Sequence, residues 1–179
     1  MRGVTRRMAG QAERRGVTCE RASIRHLPEY YDILTEASKG WGLARPPVPY
    51  ELLHAVLKRG GEDAQLWLAH VDGTTIGGGI IFFGSDELFF WSAAMRRDYS
   101  RFRPSNALNV ALLREACSRG VRWYNLGASE GLEGVARFKS DLGATDVPYV
   151  ELIARRTAFR LYLNVRQAVT RRRGSALAR

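Results

Sequence analysis

The chain has 179 residues, 45% of them hydrophobic and 10% aromatic, which suits one folded domain and excludes a disordered chain. The formal net charge is +10, but residues 1–15 hold five Arg and one Glu and residues 152–179 hold eight Arg and no acid, so residues 16–151 sum to −2. That near-neutral body argues against the fold itself being a nucleic-acid surface, and no apolar run reaches the eighteen or so residues of a membrane-spanning helix.

The N-terminal arginines have no apolar stretch behind them, so no secretory signal is expected. Cys19 and Cys117 make no disulfide framework, and a cytoplasmic location is expected, with peripheral membrane contact through a basic end as the alternative. Residues 1–15 lack strong apolar periodicity and read as a flexible or weakly helical basic lead. Residues 16–23 alternate loosely and suit a first strand. Pro28 near the first helical position opens a helix with Tyr30, Ile33, Leu34 and Ala37 on one face; Gly40 and Gly42 end it. A proline-rich connector leads to a second helix over 50–59, stopped by Gly60-Gly61.

Residues 64–71, 75–83 and 87–94 then read as three strands of an antiparallel meander, with Asp72-Gly73 as the strongest hairpin turn. Gly77-Gly78-Gly79 lies inside a strand. It lacks the Lys-Ser/Thr of a phosphate loop and suits a bulge or a close backbone approach. An arginine-rich loop over 95–106 precedes a helix over 106–120, for which Ser105 is the expected cap; Cys117 falls inside this helix as a small core residue. A strand over 121–126, a helix over 131–142, a strand over 147–154 and a basic amphipathic helix over 158–171 complete the order. The alternation implies an α/β (α+β) fold, a mixed, mostly antiparallel sheet with helices on both faces. The expected organisation is a lead over 1–15, one domain over 16–154 and a basic tail over 155–179.

This order resembles the GNAT acyltransferase fold. Arg14-Arg15-Gly16-Val17, Pro104-Ser105-Asn106-Ala107-Leu108, Tyr124-Asn125-Leu126-Gly127 and Gly134-Val135-Ala136-Arg137-Phe138-Lys139, closed by Leu142-Gly143-Ala144, resemble the FemABX branch. That branch contains the aminoacyltransferases of peptidoglycan cross-bridges and their acetyltransferase-like relatives. The resemblance covers about residues 14–152 and is to the second of the two domains such proteins usually carry. It therefore implies either a separate first domain or a homodimer as partner. GNAT enzymes that bind acetyl-CoA place a glycine-rich loop before the central helix, where backbone N–H groups cradle a pyrophosphate. Here the equivalent segment, residues 99–105, has no glycine and contains Pro104. The characterised FemABX transferases take aminoacyl-tRNA, so the implied donor is aminoacyl-tRNA or acyl-CoA.

Lys139 is the first candidate for chemistry. It is one of three lysines among 25 arginines, and a compact ammonium can stabilise the oxyanion formed when an amine attacks an ester or thioester. The resemblance places the matching lysine in the acyl-transfer channel; the alternative is a solvated helix lysine. Phe138 and Tyr124 are expected to shape that channel, or else to be core. Arg137 is read as a fork for phosphate or carboxylate, or as an exposed helix arginine. Asn106 either orients a donor carbonyl or extends the helix cap. Ser129 and Glu130 are candidates for acceptor binding or general-base work, with a helix cap and first-turn acid as the preferred reading. Arg101 and Arg103, with Arg96 and Arg97, form a basic loop suited to donor phosphates or simply to solvent. His26, His54 and His70 show no metal-ligand spacing, and no bound cofactor or metal is expected.

The function expected is transfer of an acyl or aminoacyl group from an activated donor to a small-molecule or peptide amine, by direct attack, in cell-envelope metabolism. The competing reading is an inactive single-domain remnant or protein-binding module. For it, a cleft filled by aromatic side chains is expected instead of one with the Lys139 amine pointing inward.

Overall fold

The computed structural model describes residues 3–129 and 132–150. Five strands form one sheet in the order β1-β2-β3-β4-β5: β1 (Thr18–Ala22), β2 (Ala64–Val71), β3 (Thr74–Phe83), β4 (Glu87–Met95) and β5 (Trp123–Asn125). The pairs β1–β2, β2–β3 and β3–β4 are antiparallel, and the pair β4–β5 is parallel. Asp72 and Gly73, both at positive φ, make the β2–β3 turn, the left-handed backbone that a tight hairpin demands.

Helices α2 (Leu27–Gly40) and α3 (Tyr50–Gly60) cover one face of the sheet. Tyr30, Ile33 and Leu34 of α2 and Leu53 of α3 pack there on Leu66, Leu68 and Ile80. On the other face, Leu108, Leu112 and Ala116 of α4 (Pro104–Ser118) pack on Trp67, Ile81, Phe83 and Leu88. The mixed sheet with helices on both faces is the architecture the sequence implied. The glycine triplet also matches its reading. A Cβ on Gly78 would lie 2.7 Å from the Trp67 carbonyl oxygen, and one on Gly79 would lie 2.2 Å from the Phe90 ring.

Several local expectations need correction. Of the two readings of the lead, flexible or weakly helical, residues 3–14 take the helical one: they form α1 (Gly3–Arg14), and its buried Thr5, Ala9 and Ala12 make it part of the packed fold. Small side chains form its buried face, which is why no large-apolar periodicity announced it. The central helix begins at Pro104, and its cap is Arg103, not Ser105, which sits in the first turn. Cys117, expected in the core, is exposed. β5 spans three residues, not the expected six: its ladder with β4 opens with the Trp123 N–H donating to the Asp86 carbonyl and ends at Asn125. The next helix, α5 (Glu133–Leu142), is capped by Leu132. Residues 3–145 belong to one compact unit and Asp146 opens a second. Within that second unit, residues 147–150 form no strand; Pro148 removes a ladder donor there. Residues 151–154 of the expected strand and the expected helix over 158–171 lie outside the described residues.

Candidate active site

The site is built on β4. Its pairing with β5 is confined to Glu87, Leu88 and Phe89 against Trp123, Tyr124 and Asn125. From Phe90 to Met95, no strand among the described residues pairs with that edge of β4. Alternate peptide groups of an extended strand point towards such an edge. β4 also carries an extra residue: Ile80 faces Ser92 and Ile81 faces Phe90, which leaves Trp91 as a bulge. A bulge bends the strand and interrupts its ladder where β5 has departed.

At the C-terminal end of β4 lies a pocket of about 260 Å³. It is lined by Met95 at the end of β4, by Arg96, by Arg97 and Ser100 of the 3-10 turn over Arg97–Phe102, and by Arg103, which caps that turn. Pro104, Ser105 and Asn106 bring in the first turn of α4, and α5 contributes Phe138. Arg96 is a fixed part of this lining: its Nε donates to the Thr75 carbonyl (3.1 Å) and its guanidinium pairs with Glu36 of α2. Arg103 is left-handed, with φ 60° and ψ 43°, a conformation costing a residue with a Cβ about 1 kcal/mol. It performs the turn a glycine would otherwise make, and Pro104 fits the first helical position because its missing N–H has no partner to lose. The Asn106 and Ala107 amides donate to the Arg103 carbonyl at 3.0 and 3.1 Å.

The segment after β5 is pinned by polar contacts. The Asn125 side chain donates to Glu87 (2.8 Å) and accepts from the Gly127 N–H (2.8 Å), shaping a turn where Gly127 has φ 69°. Lys139 Nζ donates to the carbonyls of Gly127 (2.9 Å) and Ala128 (2.7 Å). Its ammonium thus ties α5 to the end of β5 and is not among the groups lining the pocket. Tyr124 is not a pocket wall either. Its ring lies 6.5 Å from Phe90 in the core, and its hydroxyl donates to Asn109 Oδ1 (2.8 Å). Asn109 in turn donates to the Ser105 carbonyl (2.8 Å), so the pair links β5 to the first turn of α4. Burial pushes the Tyr124 phenol up, keeping it a donor.

Of the sequence candidates, the structure brings Phe138, Asn106 and Arg103 together at the pocket. Arg137 is exposed on α5. Arg101 is exposed, with its guanidinium 4.9 Å from the centre of the Phe102 ring. Ser129 is not the helix cap; its carbonyl accepts from the Leu132 N–H at 2.8 Å. Glu130 lies outside the described residues. Arg96 and Arg97, expected in the basic loop, also line the pocket, whereas Asn109 was passed over as a site residue. The signal for Asn109 was present, since Asn106 and Asn109 are polar residues on the otherwise apolar buried face of one helix.

The model of the acetyltransferase (GNAT) domain matches residues 1–140. The chain belongs to the GNAT acetyltransferase family. Its activity class is accordingly N-acyl transfer, and the match includes α1. No curated protein matches the sequence. Among solved structures, the domain is similar to a ribosomal-protein-alanine N-acetyltransferase from Brucella melitensis biovar Abortus 2308. The two share 16% identity over 79% of this chain and 99% of that one, with a TM-score of 0.61. It is similar to AAC(6')-Iy in complex with the bisubstrate analog CoA-S-monomethyl-acetylneamine, at 15% identity, 78% and 98% coverage and a TM-score of 0.62. Similarity to FemX, at 15% identity and a TM-score of 0.66, covers 78% of this chain and 53% of FemX. At these identities the likeness is one of fold. On this GNAT domain, an arginine-lined pocket stands at one end of β4, beside the stretch of that strand with no partner on its β5 side among the described residues.

Proposed function

We propose that this GNAT domain transfers an acyl group from acyl-CoA to a primary amine. The observation that carries the proposal is the alignment of the pocket with the free edge of β4. Arg97, Arg103 and the amino end of α4 supply positive potential for the donor's phosphates. The acyl-carrying arm then follows β4 from Met95 towards Phe90, about 3.3 Å per residue. Main-chain N–H groups on that edge would hold the thioester carbonyl and the oxyanion formed from it. The amine lone pair attacks the carbonyl carbon, the C–S bond breaks, and the proton lost by the amine ends on the departing thiolate. No acyl-enzyme is required.

In this reading Lys139 fixes the wall that carries Phe138 and adds positive charge near the end of β5. Tyr124 holds α4 in place through Asn109. Neither arrangement expected to separate enzyme from module is present: the pocket of about 260 Å³ is not filled by aromatic side chains, and Lys139 is not among its lining residues.

The test is titration calorimetry with acetyl-CoA, followed by the variant Arg97→Ala/Arg103→Ala. Saturable binding that weakens at least tenfold in the variant supports the proposal, and binding unaffected by both changes removes the phosphate assignment. A second reading keeps the FemABX branch, with an aminoacyl group delivered from tRNA to a cell-envelope amine beside a separate first domain. The glycine-free loop over 99–105 and the half-length match to FemX favour it. Turnover with an aminoacylated RNA minihelix, and none with any acyl-CoA, would transfer the assignment to this reading.

A further inference from the structure

Helix α1 precedes the sheet in sequence, yet it is hydrogen-bonded to both α5, which carries Phe138, and the 3-10 turn, which carries Arg97 and Ser100. Near its start, the hydroxyl of Thr5 donates to the Asp141 carbonyl in the last turn of α5 (2.6 Å). Just beyond its end, the Arg15 guanidinium donates to the Arg101 carbonyl in the 3-10 turn. Between these points Ala9 and Ala12 are buried, and Glu13 pairs with Arg114 of α4 at 2.8 Å. α1 is therefore strapped to α4, with one tether to each pocket wall.

The Thr5 tether completes a helix end. The last carbonyls of any helix lack intrahelical partners. In α5, left-handed Gly143 lets its own N–H reach the Ser140 carbonyl and the Ala144 N–H reach the Lys139 carbonyl, both at 3.0 Å. The Asp141 carbonyl is taken by Thr5 instead, from 136 residues away. Thr5 is 1% exposed, so water cannot readily replace it. The helix it holds needs holding: Leu142 is its one buried residue, while Phe138 must stay at the pocket.

We infer that α1 sets the spacing of the two pocket walls, with Thr5 and Arg15 as positioning residues for the Phe138 wall and the arginine turn. The inference rests on the donor reading above for the identity of the ligand, and on the hydrogen bonds alone for the geometry. The test uses the full chain with Thr5→Val, which keeps shape and removes the donor, and with Thr5→Ser, which restores it. Two readouts are taken. Hydrogen exchange of the α5 amides, without ligand, is expected to quicken about fivefold in Thr5→Val while the amides of β2 and β3 stay as in the wild type. The KM for acetyl-CoA is expected to rise about fivefold with kcat within twofold. Thr5→Ser should reverse both.

Unchanged α5 exchange in Thr5→Val overturns the inference. So does a uniform acceleration across the sheet, which marks a structural role only. If the wild type binds no acyl-CoA, the donor reading fails by itself, and α5 exchange still decides whether α1 braces the wall.

Discussion

Lys139 satisfies two backbone carbonyls with one ammonium, and this determines what its removal does. In Lys139→Met the Gly127 and Ala128 carbonyls lose a charged donor, worth up to about 3 kcal/mol where buried and nearer about 1 kcal/mol at this partly exposed site. The expected result is lower stability together with reduced transfer, read by urea denaturation and initial rates on one preparation. Undiminished stability with lost transfer would instead assign the ammonium to the reaction itself. Arg103 gives a second residue-scale prediction. Arg103→Gly relieves a left-handed side chain but loosens the unfolded chain, so stability should stay within about 1 kcal/mol. Donor affinity should nevertheless fall several-fold, because the guanidinium is lost from the pocket. A variant binding donor like the wild type would show that this arginine serves the turn alone. These residues also show what was legible. Phe138 and Arg103 stood out as an aromatic on a short helix and an arginine in a polar loop. The partners of Lys139 and Tyr124 did not, since they depend on where the β5–α5 turn and α4 meet in space.

The strands of the meander were readable because Asp72-Gly73 and the alternating apolar residues agree on one register. The glycine triplet was readable for a different reason: three glycines inside a strand suit a bulge or a close approach, and the structure shows the close approach. That explanation has a consequence for β3. Gly78→Ala would drive a methyl against the Trp67 carbonyl and the Leu68 side chain, at 2.7 and 2.6 Å, and should cost more than about 2 kcal/mol. A urea midpoint equal to that of the wild type would show that the sheet gives way there. Elements built from small or short pieces were less legible. α1 buries Thr5, Ala9 and Ala12 rather than Leu or Ile, so its packing leaves a weak trace in the sequence. β5 has half its expected length, since its pairing with β4 begins only at Trp123 and ends at Asn125, limits that the apolar run over 121–126 does not mark. The cap of α4 moved from Ser105 to Arg103 because Pro104 can open the helix and the chain enters it left-handed.

At the scale of the whole molecule, three acid protons are held inside the fold by burial: the Cys19 thiol on β1, the Tyr30 phenol on α2 and the Tyr124 phenol before α5. Burial pushes the thiol from 9.0 up to about 12, with the Glu13 carboxylate of α1 adding to it. Both phenols are raised above their ordinary 10.0; for Tyr30, a hydrogen bond with Ser92 partly opposes the rise. Below about pH 9 the folded and unfolded chains both keep these protons, and stability does not depend on them. Above it the unfolded thiol ionises first and the unfolded phenols follow near 10, while the folded chain still holds its protons. The unfolded state then binds fewer protons, so stability falls as pH rises, by about 1.4 kcal/mol per pH unit for each proton difference. Amine acceptors pull the other way, since an alkylamine becomes a nucleophile only as it deprotonates near pH 10. Transfer should therefore climb with pH and then collapse as the domain unfolds. Urea midpoints between pH 8 and 11 test this, with Cys19→Ala as the control. Whatever the level its stability starts from, its decline should begin near pH 10 rather than 9. A profile that stays flat to pH 11, or a Cys19→Ala curve parallel to that of the wild type, would show that the buried thiol is not what limits the protein at high pH.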